Sequence, residues 1–335
     1  MTPQGAPELK RSKALRIWRL MQYVQIELNS LSTKARHPQI CARQSQADCL
    51  LSSMLRSIST CCTPCGGAAG LIALPLRPVG YRYINQFATT EKINSFLDLV
   101  DLAAGGGQDA NNVFELARKF THSPPMQACE AMLNQDPESA ALIASRHVMP
   151  PFDAEAMRAM PKGSLGHTYI RVLDGYGYDI NFFPEEVFFN DLQTDADYIN
   201  FRVLQTHDLH HILTGFSLDN FGEFGVVSLS VSQYNFPAFA FLNLSALLMG
   251  WMNQAEPIDE TTPIAVQAMS PQGLFEAISS GLEMGKQAKK LFAIPWETLL
   301  TQDLQQLRRD IGVDAVSSGI RSWESNTLVQ EKLSL

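Results

Sequence analysis

The stretch HDLHHILTGFSLDNFGE, which begins at His207, holds the side chains of this chain that are best suited to chemistry. Three of the seven histidines lie within its first five positions, and Glu223 is its last residue. At 100° per residue on a helix, His207, Asp208 and His211 fall within one arc of about 100°, so all three can face the same object. Two histidines one helical turn apart can bind a divalent metal through both imidazoles. His210 falls on the flank of that arc.

Two consecutive helices are needed to bring these side chains together. The pattern predicts a helix from about Asp195 to Leu213 that ends at Gly215, and a turn after it that returns the chain, so that Glu223 arrives from the next helix. Two imidazoles and two carboxylates would form a mixed nitrogen and oxygen site with open positions for water or substrate. Such a site suits Zn, Fe, Mn or Mg.

A simpler interpretation needs no metal. Glu223 stands three residues after Asn220, so the pair could form a capping box at the start of the second helix. His207 and Asp208 could belong to a solvated polar face near a helix end. The combined pattern of two histidines, the Asp and the following Glu favours the metal site.

Charge is distributed unevenly along the 335 residues, whose net charge is -8. No basic stripe or nucleic-acid motif occurs in the body of the chain, so general nucleic-acid binding is excluded. Residues 1–66 carry nine basic and three acidic residues, and a basic amphipathic helix is possible within LKRSKALRIWRLMQYVQIEL. This segment could be an organelle presequence, an interfacial anchor or a non-native extension.

All six cysteines lie within the first 129 residues, which excludes a disulfide framework for the main body. Cys62 and Cys65 in CCTPC could form half of a zinc site, but a second pair at usable spacing is missing. We therefore interpret the cluster as unpaired cysteines. The predicted organisation is an N-terminal extension over 1–80, a main domain over 81–320 and a tail over 321–335.

From about Ile84 the apolar spacing is helical almost throughout, and the predicted fold is all-α, a single multi-helix domain. Asp136 and Ser270, each followed by a proline, are predicted to cap two helices, and the second of these should carry Lys289 and Lys290 in its last turns. Another helix is predicted to end at Gly175, and one more to begin at Pro295.

Residues 224–255 contain no charged residue, and Pro237 divides them into two pieces that we predict to be buried helices rather than a membrane span. The aromatic residues Phe236, Phe239 and Phe241 are predicted to belong to the core or to line an apolar pocket for a long ligand.

The motif resembles the signature of the coenzyme Q biosynthesis protein 4 family: H-D-x-x-H, eleven residues and a Glu. His207, Asp208, His211 and Glu223 match it without a gap. The resemblance extends from about Ser95 to Val313 and includes GSLGHTYIRVL, THDLHHILTGF and MGKQAKKLFAIPWETLL, whose order resembles the bacterial and cyanobacterial branch.

The resemblance implies an all-α protein with an apolar cavity for a polyprenyl chain and a metal, Zn in the first place and Fe, Mn or Mg otherwise, at a helix pair. It implies ubiquinone biosynthesis by metal-dependent C1 decarboxylation and hydroxylation of a polyprenylated hydroxybenzoate. The implied partners are that precursor, other quinone-biosynthesis proteins and a membrane surface, with a homodimer as the usual prior. The implied location is peripheral, on the cytoplasmic face of a bacterial membrane or the matrix side of the mitochondrial inner membrane.

The sequence is also compatible with two other functions. The chain could be a non-catalytic scaffold that presents polyprenyl intermediates to enzymes, with a structural metal. It could also be a helical metal phosphohydrolase, since a His-Asp doublet is central to that class too. The phosphohydrolase would need a further histidine from another helix, for which His122, His147 and His167 are available.

Overall fold

The structure is a computed structural model, and it describes residues 90–107, 109–182, 192–254 and 257–335. The chain divides into two compact units, Met1–Asn94 and Ser95–Leu335. Of the first unit only residues 90–94 are described, so the paired cysteines, the basic segment and the whole predicted extension over 1–80 lie outside the described residues.

The described residues form fourteen α-helices and one 3-10 turn, and no strand occurs among them. The prediction of an all-α fold is therefore confirmed. The helices are α1 Thr90–Gly105, α2 Asn111–Phe120, α3 Pro124–Asn134, α4 Pro137–Ser145, α5 Ala154–Arg158, α6 Leu165–Tyr176, α7 Asp195–Thr214, α8 Asn220–Tyr234, α9 Pro237–Asn253, α10 Ile264–Met269, α11 Pro271–Gln287, α12 Trp296–Leu299, α13 Leu304–Ile311 and α14 Thr327–Ser334, with the 3-10 turn at Trp323–Ser325.

Local signals account for most helix starts. Asp136 caps α4 and Ser270 caps α11, and in both helices a proline occupies the first position, where its missing N–H removes no hydrogen bond. Thr194 and Asp197 form a capping box at the start of α7. The helix predicted from Asp195 is thus confirmed, and it ends one residue later than expected, before Gly215 in the left-handed conformation.

The long helix α7 runs through the middle of the unit. One apolar cluster lies on one side, around Trp296 and the inner faces of α6 and α13. A second cluster gathers the aromatic residues of α9 with α2 and α3. Because apolar neighbours surround α7, residues on several of its faces are buried. A polar side chain on α7 is therefore held among packed neighbours.

The helix α8 packs closely along α11. A Cβ placed at Gly281 would lie 2.0 Å from the carbonyl oxygen of Gly225, so the two backbones meet where neither has a side chain. This contact fixes α8, the helix that carries Glu223, against a second long helix. The charge-free run forms α8 and α9 with Pro237 at the first position of α9, as predicted. The prediction that both helices are buried is wrong for the outer face of α9, where Leu244, Trp251 and Met252 are exposed.

Three boundaries differ from those predicted. Gly175 was expected to end its helix, but α6 continues to Tyr176 and ends at Gly177; Gly175 instead lets the backbone of Val329 approach. The helix α11 ends at Gln287, so Lys289 and Lys290 lie beyond its last turn.

The segment from Pro295 was expected to be one helix and is two, because Asp303 starts a new one by accepting a hydrogen bond from the Gln306 backbone N–H. The residues predicted as a tail, 321–335, form the 3-10 turn and α14, which packs on α6 with Val329 fully buried.

None of the helices among the described residues combines the length and apolar character that a bilayer crossing requires.

Candidate metal centre

His207 and His211 lie one turn apart on α7, and their side chains meet. Their rings are perpendicular with centroids 4.7 Å apart, and the two Nε2 atoms are 3.1 Å apart. The His211 side chain is 2% exposed and that of His207 15%. The predicted convergence of these two imidazoles is found in the structure.

Glu223 reaches the same place from α8. Gly215 ends α7, and Asp219 starts α8 by accepting hydrogen bonds from the Phe221 N–H and the Ser217 hydroxyl, 2.6 Å away. The turn therefore returns the chain within five residues. Because Asp219 caps the helix and the Glu223 carboxylate points to the histidines, the capping-box interpretation does not hold.

The carboxylate of Glu223 bridges the two imidazoles. Its Oε1 lies 3.0 Å from His207 Nε2 and its Oε2 lies 3.2 Å from His211 Nε2. Among the described residues these three form the group of His, Cys, Asp and Glu ligand atoms that lie within 4.8 Å of one another. We call His207, His211 and Glu223 the triad.

The second ring nitrogen of His211 has a partner outside the triad. Its Nδ1 is 3.2 Å from the carbonyl oxygen of Phe216. A carbonyl can only accept, so this contact is a hydrogen bond in the tautomer that carries the proton on Nδ1, and that tautomer leaves the Nε2 lone pair for a metal ion. This is the arrangement in which a second hydrogen bond orients a metal-binding imidazole.

The charges within the triad stabilise one another. Burial alone would raise the pKa of the Glu223 carboxyl, but the charges and hydrogen bonds of His207 and His211 outweigh burial and hold that pKa well below its ordinary range. Burial would lower the pKa of His207, and the Glu223 charge and hydrogen bond raise it instead, with a smaller contribution from Asp208. The site is thus built around a carboxylate that stays ionised.

Asp208 is half-buried and does not join the triad. Its charge nevertheless acts on neighbouring groups: after burial, which is the larger cause, Asp208 raises the pKa of Tyr169, and it contributes to the raised pKa of Tyr178. The Asp208 carboxylate therefore lies near the site but outside the group of three converging ligand atoms.

His210 is fully buried on another face of α7, as its flanking position predicted. Its ring packs against Trp296 with centroids 5.7 Å apart, and neither ring nitrogen has a hydrogen-bond partner. Burial, followed by the positive charges of His207 and Arg202, lowers its pKa well below the ordinary value. His210 is a neutral core residue, separate from the triad.

The three phenylalanines predicted as lining lie in the second apolar cluster. Phe236 and Phe239 are fully buried and meet edge to face at 4.9 Å, and Phe241 is partly buried against Phe120 at 5.6 Å. Phe239 also contacts the site, because its ring lies 5.4 Å from that of His207. One wall of the triad is therefore aromatic.

The histidines that a phosphohydrolase would recruit stay apart. His147 pairs with Glu297 at 2.6 Å, His167 is buried near the start of α6, and His122 is exposed. None of the three belongs to the triad.

Two contacts of the site were missed by sequence reasoning. The Phe216 carbonyl orients His211, and the indole N–H of Trp323 donates to the His211 carbonyl oxygen at 2.9 Å. A backbone carbonyl has no signature in a sequence, and Trp323 stands 112 residues away.

The donor set fits a divalent ion. Two ligand atoms bonded at about 2.1 Å to one ion lie roughly 3.0–3.4 Å apart in octahedral or tetrahedral geometry, and the three distances in the triad are 3.0–3.2 Å. Two imidazole lone pairs and one carboxylate are ligands that Zn, Fe and Mn accept. The Glu223 side chain is 35% exposed, which leaves one side of the site open.

Comparisons with known proteins identify the family of this chain. Residues 106–317, more than half of the chain, match the model of the Coenzyme Q (ubiquinone) biosynthesis protein Coq4 family. The chain is 25% identical over 211 residues to the mitochondrial ubiquinone biosynthesis protein COQ4 of Clavispora lusitaniae, covering 61% of this chain and 59% of that one. It is 26% identical over 261 residues to the mitochondrial COQ4 homolog of Bos taurus, covering 74% and 90%.

A crystal structure from Nostoc punctiforme, of a protein provisionally described as acting in ubiquinone biosynthesis, shares the fold. Its TM-score is 0.54 at 24% identity, with 68% of this chain and 100% of that chain covered. The chain spans about three fifths of the length of the fungal relative. On the extent of the family match, this chain belongs to the Coq4 family of ubiquinone biosynthesis proteins.

Proposed function

We propose that this chain is a metal-dependent enzyme that replaces the C1 carboxyl group of a polyprenylated hydroxybenzoate with a hydroxyl group. The bond from C1 to the carboxyl carbon breaks, a C1–O bond forms, and carbon dioxide and water leave. Dioxygen is the oxidant and a two-electron donor is supplied from outside the chain. The observation that carries the proposal is the triad, in which three ligand atoms from two helices converge at 3.0–3.2 Å.

His207, His211 and Glu223 would hold the ion directly, and Asp208 would complete the site as a fourth ligand, for instance through a water. Zn is the first expectation, with Fe, Mn or Mg as alternatives. A bound divalent ion supplies Lewis-acid stabilisation of negative charge, and a redox-active one also supplies electron transfer. The coupled hydroxylation would therefore need one of the redox-active alternatives, Fe or Mn, and a chain found to hold Zn would be limited to the decarboxylation.

The chain's own residues define how a substrate reaches the site. The exposed part of Glu223 marks the open side, while Phe239 closes the side next to His207. A benzoate ring would approach past Glu223. Its polyprenyl chain would follow the aromatic residues Phe236, Phe239 and Phe241 along α9, because a long apolar chain needs an apolar lining.

An exposed apolar face on α9 supports binding to a membrane surface. Leu244, Trp251 and Met252 are 65%, 70% and 68% exposed. Together with half-buried Leu248 they fall within an arc of about 100° at 100° per residue. We call these four residues the α9 stripe. The helix carries no charge, and an exposed Trp suits the boundary between water and lipid.

The relatives' names suggest the compartment. The fungal and bovine relatives are named mitochondrial. We propose that this chain lies on the matrix side of the inner membrane if it is eukaryotic, and on the cytoplasmic face if it is bacterial. Its partners there are the polyprenylated precursor and other quinone-biosynthesis proteins, and a homodimer is the default assembly.

The α9 stripe also favours the second candidate, a scaffold that presents polyprenyl intermediates without catalysing a reaction. In that case the ion would only join α7 to α8. The phosphohydrolase is not supported, because the additional histidines do not reach the triad.

The test begins with metal analysis and bound-lipid mass spectrometry on one purified sample of the full chain. Glu223→Gln keeps the shape of the side chain and removes its charge, and we expect at least a tenfold loss of metal affinity. Glu283→Gln, on the exposed side of α11 beside Lys286, is the matched control and should retain the metal. A wild-type chain with neither metal nor isoprenoid would refute both candidates.

Product analysis separates the enzyme from the scaffold. In cells that lack their own relative of this chain, Glu223→Gln should cause the polyprenylated carboxylate to accumulate if the chain is the enzyme. Normal quinone synthesis with a folded, metal-free variant would assign the scaffold function.

A further inference from the structure

The carbonyl end of α7, directly after the triad histidines, is bound by a distant part of the chain. A helix leaves its last four carbonyl groups without partners inside the helix. Here all four accept hydrogen bonds from Arg308, Val316 and Trp323, and the His211 carbonyl also accepts one from the backbone N–H of Gly215 at 3.0 Å. We call these three residues the C-terminal clamp.

Each clamp residue serves a particular carbonyl. The indole N–H of Trp323 donates to His211 at 2.9 Å, and the backbone N–H of Val316 donates to Thr214 at 2.8 Å. The guanidinium of Arg308 donates through Nη2 to Ile212 at 3.0 Å and through Nε to Leu213 at 2.8 Å. The last turn of α7 is thus fixed from outside the helix.

Arg308 is itself held in place. It is buried, its Nη1 donates to Glu324 at 2.8 Å, and its guanidinium lies 5.6 Å from the centre of the Trp323 ring. A buried cation at a helix C-terminus also matches the negative end of the helix dipole. Arg308 and Trp323 therefore act as one unit.

The same segment fixes the acceptor of the His211 ring. Phe216, whose carbonyl accepts from His211 Nδ1, pairs with Ser322 in an isolated antiparallel bridge. The next backbone N–H, that of Ser217, donates to the Arg321 carbonyl at 2.8 Å. Residues 321–323 therefore set both the backbone of His211 and the orientation of its imidazole.

We infer that Arg308 and Trp323 are positioning residues that aim the Nε2 of His211 at His207 and Glu223. They touch neither the open side of the triad nor any proposed substrate path. The effect on metal binding rests on the proposed function, while the effect on the orientation of His211 does not.

The sharpest test is Trp323→Phe in the full chain, which removes one N–H and keeps an aromatic ring. The matched control is Trp296→Phe, because Trp296 is equally buried and its N–H has no acceptor. Long-range 1H–15N NMR on the metal-free chain reports which nitrogen of His211 carries the proton. We expect Trp323→Phe to change the balance between the two His211 tautomers and Trp296→Phe to match the wild type.

Co2+ titration followed by visible absorption gives the metal readout. We expect Trp323→Phe to weaken Co2+ binding about tenfold and to shift the absorption bands, as loss of an outer-sphere orienting contact does. The inference is overturned if both Trp variants show the same His211 tautomer and the same Co2+ affinity. A wild-type chain that binds no Co2+ would instead refute the metal proposal, and the tautomer comparison would still decide the inference.

A second variant covers the case in which Trp323→Phe does not fold. Arg308→Lys keeps the charge beside Glu324 but cannot donate to two carbonyls in the same fork geometry. Arg309→Lys on the exposed side of the same helix is its control. A partial change of the His211 tautomer in Arg308→Lys alone supports the inference, and identical behaviour of the two lysine variants contradicts it.

Discussion

The phenyl ring of Phe239 lies 5.4 Å from the imidazole ring of His207, centroid to centroid. On a helix with 100° per residue Phe239 points roughly opposite to the middle of the α9 stripe. One helix therefore contacts the triad on its inner face and presents apolar side chains to the surroundings on its outer face. This relationship would give a lipid-borne substrate a short route from a membrane to the site.

We expect Phe239→Leu to reduce product formation by more than its effect on stability explains. The substitution keeps an apolar side chain but removes the ring beside His207, with a loss of about 1–2 kcal/mol in the free energy of unfolding. Phe292→Leu is the control, because Phe292 is equally buried and its ring packs against Tyr234, at 5.8 Å. Urea unfolding gives the loss of stability in each variant, and a product assay gives the loss of activity. Equal losses of product in Phe239→Leu and Phe292→Leu would show that the Phe239 ring has no specific effect on the reaction.

Features that depend on neighbours in the sequence were predictable. The caps Asp136 and Ser270 act within three residues, and the approach of His207 to His211 follows from one helical turn. The return of Glu223 followed from turn chemistry after Gly215. In each case a local rule determines the geometry without knowledge of the rest of the fold.

Features that depend on distant packing were not predictable. Asp208 shares the arc of the histidines, yet its carboxylate does not join them, because a helical wheel gives the direction of each Cβ and not the position of the atoms beyond it. Gly175 was expected to end a helix and instead admits Val329 from the last helix. The hydrogen bond from Trp323 to His211 spans 112 residues.

The α9 stripe predicts reversible binding to lipid vesicles. We expect Trp251→Glu to reduce flotation with vesicles of phosphatidylcholine and cardiolipin about tenfold or more, because a charge in the interface opposes insertion of the apolar face. The free energy of unfolding should change by less than about 0.5 kcal/mol, since an exposed side chain makes few contacts.

Leu328→Glu is the matched control for the stripe. Leu328 is exposed to a similar degree, but it lies on α14, which packs on α6 rather than on α9. It should bind vesicles as the wild type does. If the same fraction of Trp251→Glu and of the wild type floats with the vesicles, the α9 stripe does not contact lipid.

Cys129 should make the folded chain less stable at alkaline pH. Burial, followed by the charge of Glu130, raises the pKa of its thiol from 9.0 to about 12. The folded chain keeps the thiol protonated while the unfolded chain loses the proton above pH 9.0. The stabilisation is therefore complete below pH 9 and falls by about 1.4 kcal/mol per pH unit as pH rises toward 12.

The measurement compares urea unfolding of the wild type and Cys129→Ala at pH 8, 9 and 10 under reducing conditions. The wild type should lose roughly 1 kcal/mol more than Cys129→Ala between pH 9 and pH 10. Tyr176, whose pKa burial raises to about 12 from 10.0, adds an equal loss to both chains at higher pH. Parallel curves for the two chains would show that the Cys129 thiol ionises equally in both states.

The turn between α7 and α8 should be intolerant of a side chain at Gly215. This glycine has φ of +80°, and a Cβ there would lie 2.3 Å from the carbonyl oxygen of Val316, a member of the C-terminal clamp. Gly319 provides an unusually close control, because it has φ of +85° and a Cβ there would meet nothing within 4 Å. The two positions share the conformational strain and differ in the clash.

We expect Gly319→Ala to lower the free energy of unfolding by about 1 kcal/mol, the usual penalty for an L-residue in the left-handed region. Gly215→Ala should lower it by at least about 2–3 kcal/mol, because the backbone of Val316 must also move away. Since that movement withdraws the N–H of Val316 from the Thr214 carbonyl, Gly215→Ala should loosen the end of α7 and weaken Co2+ binding as well. Equal unfolding free energies for the two alanine variants would show that displacing the backbone of Val316 costs no stability. That result would contradict the role of the C-terminal clamp in holding His211 in position.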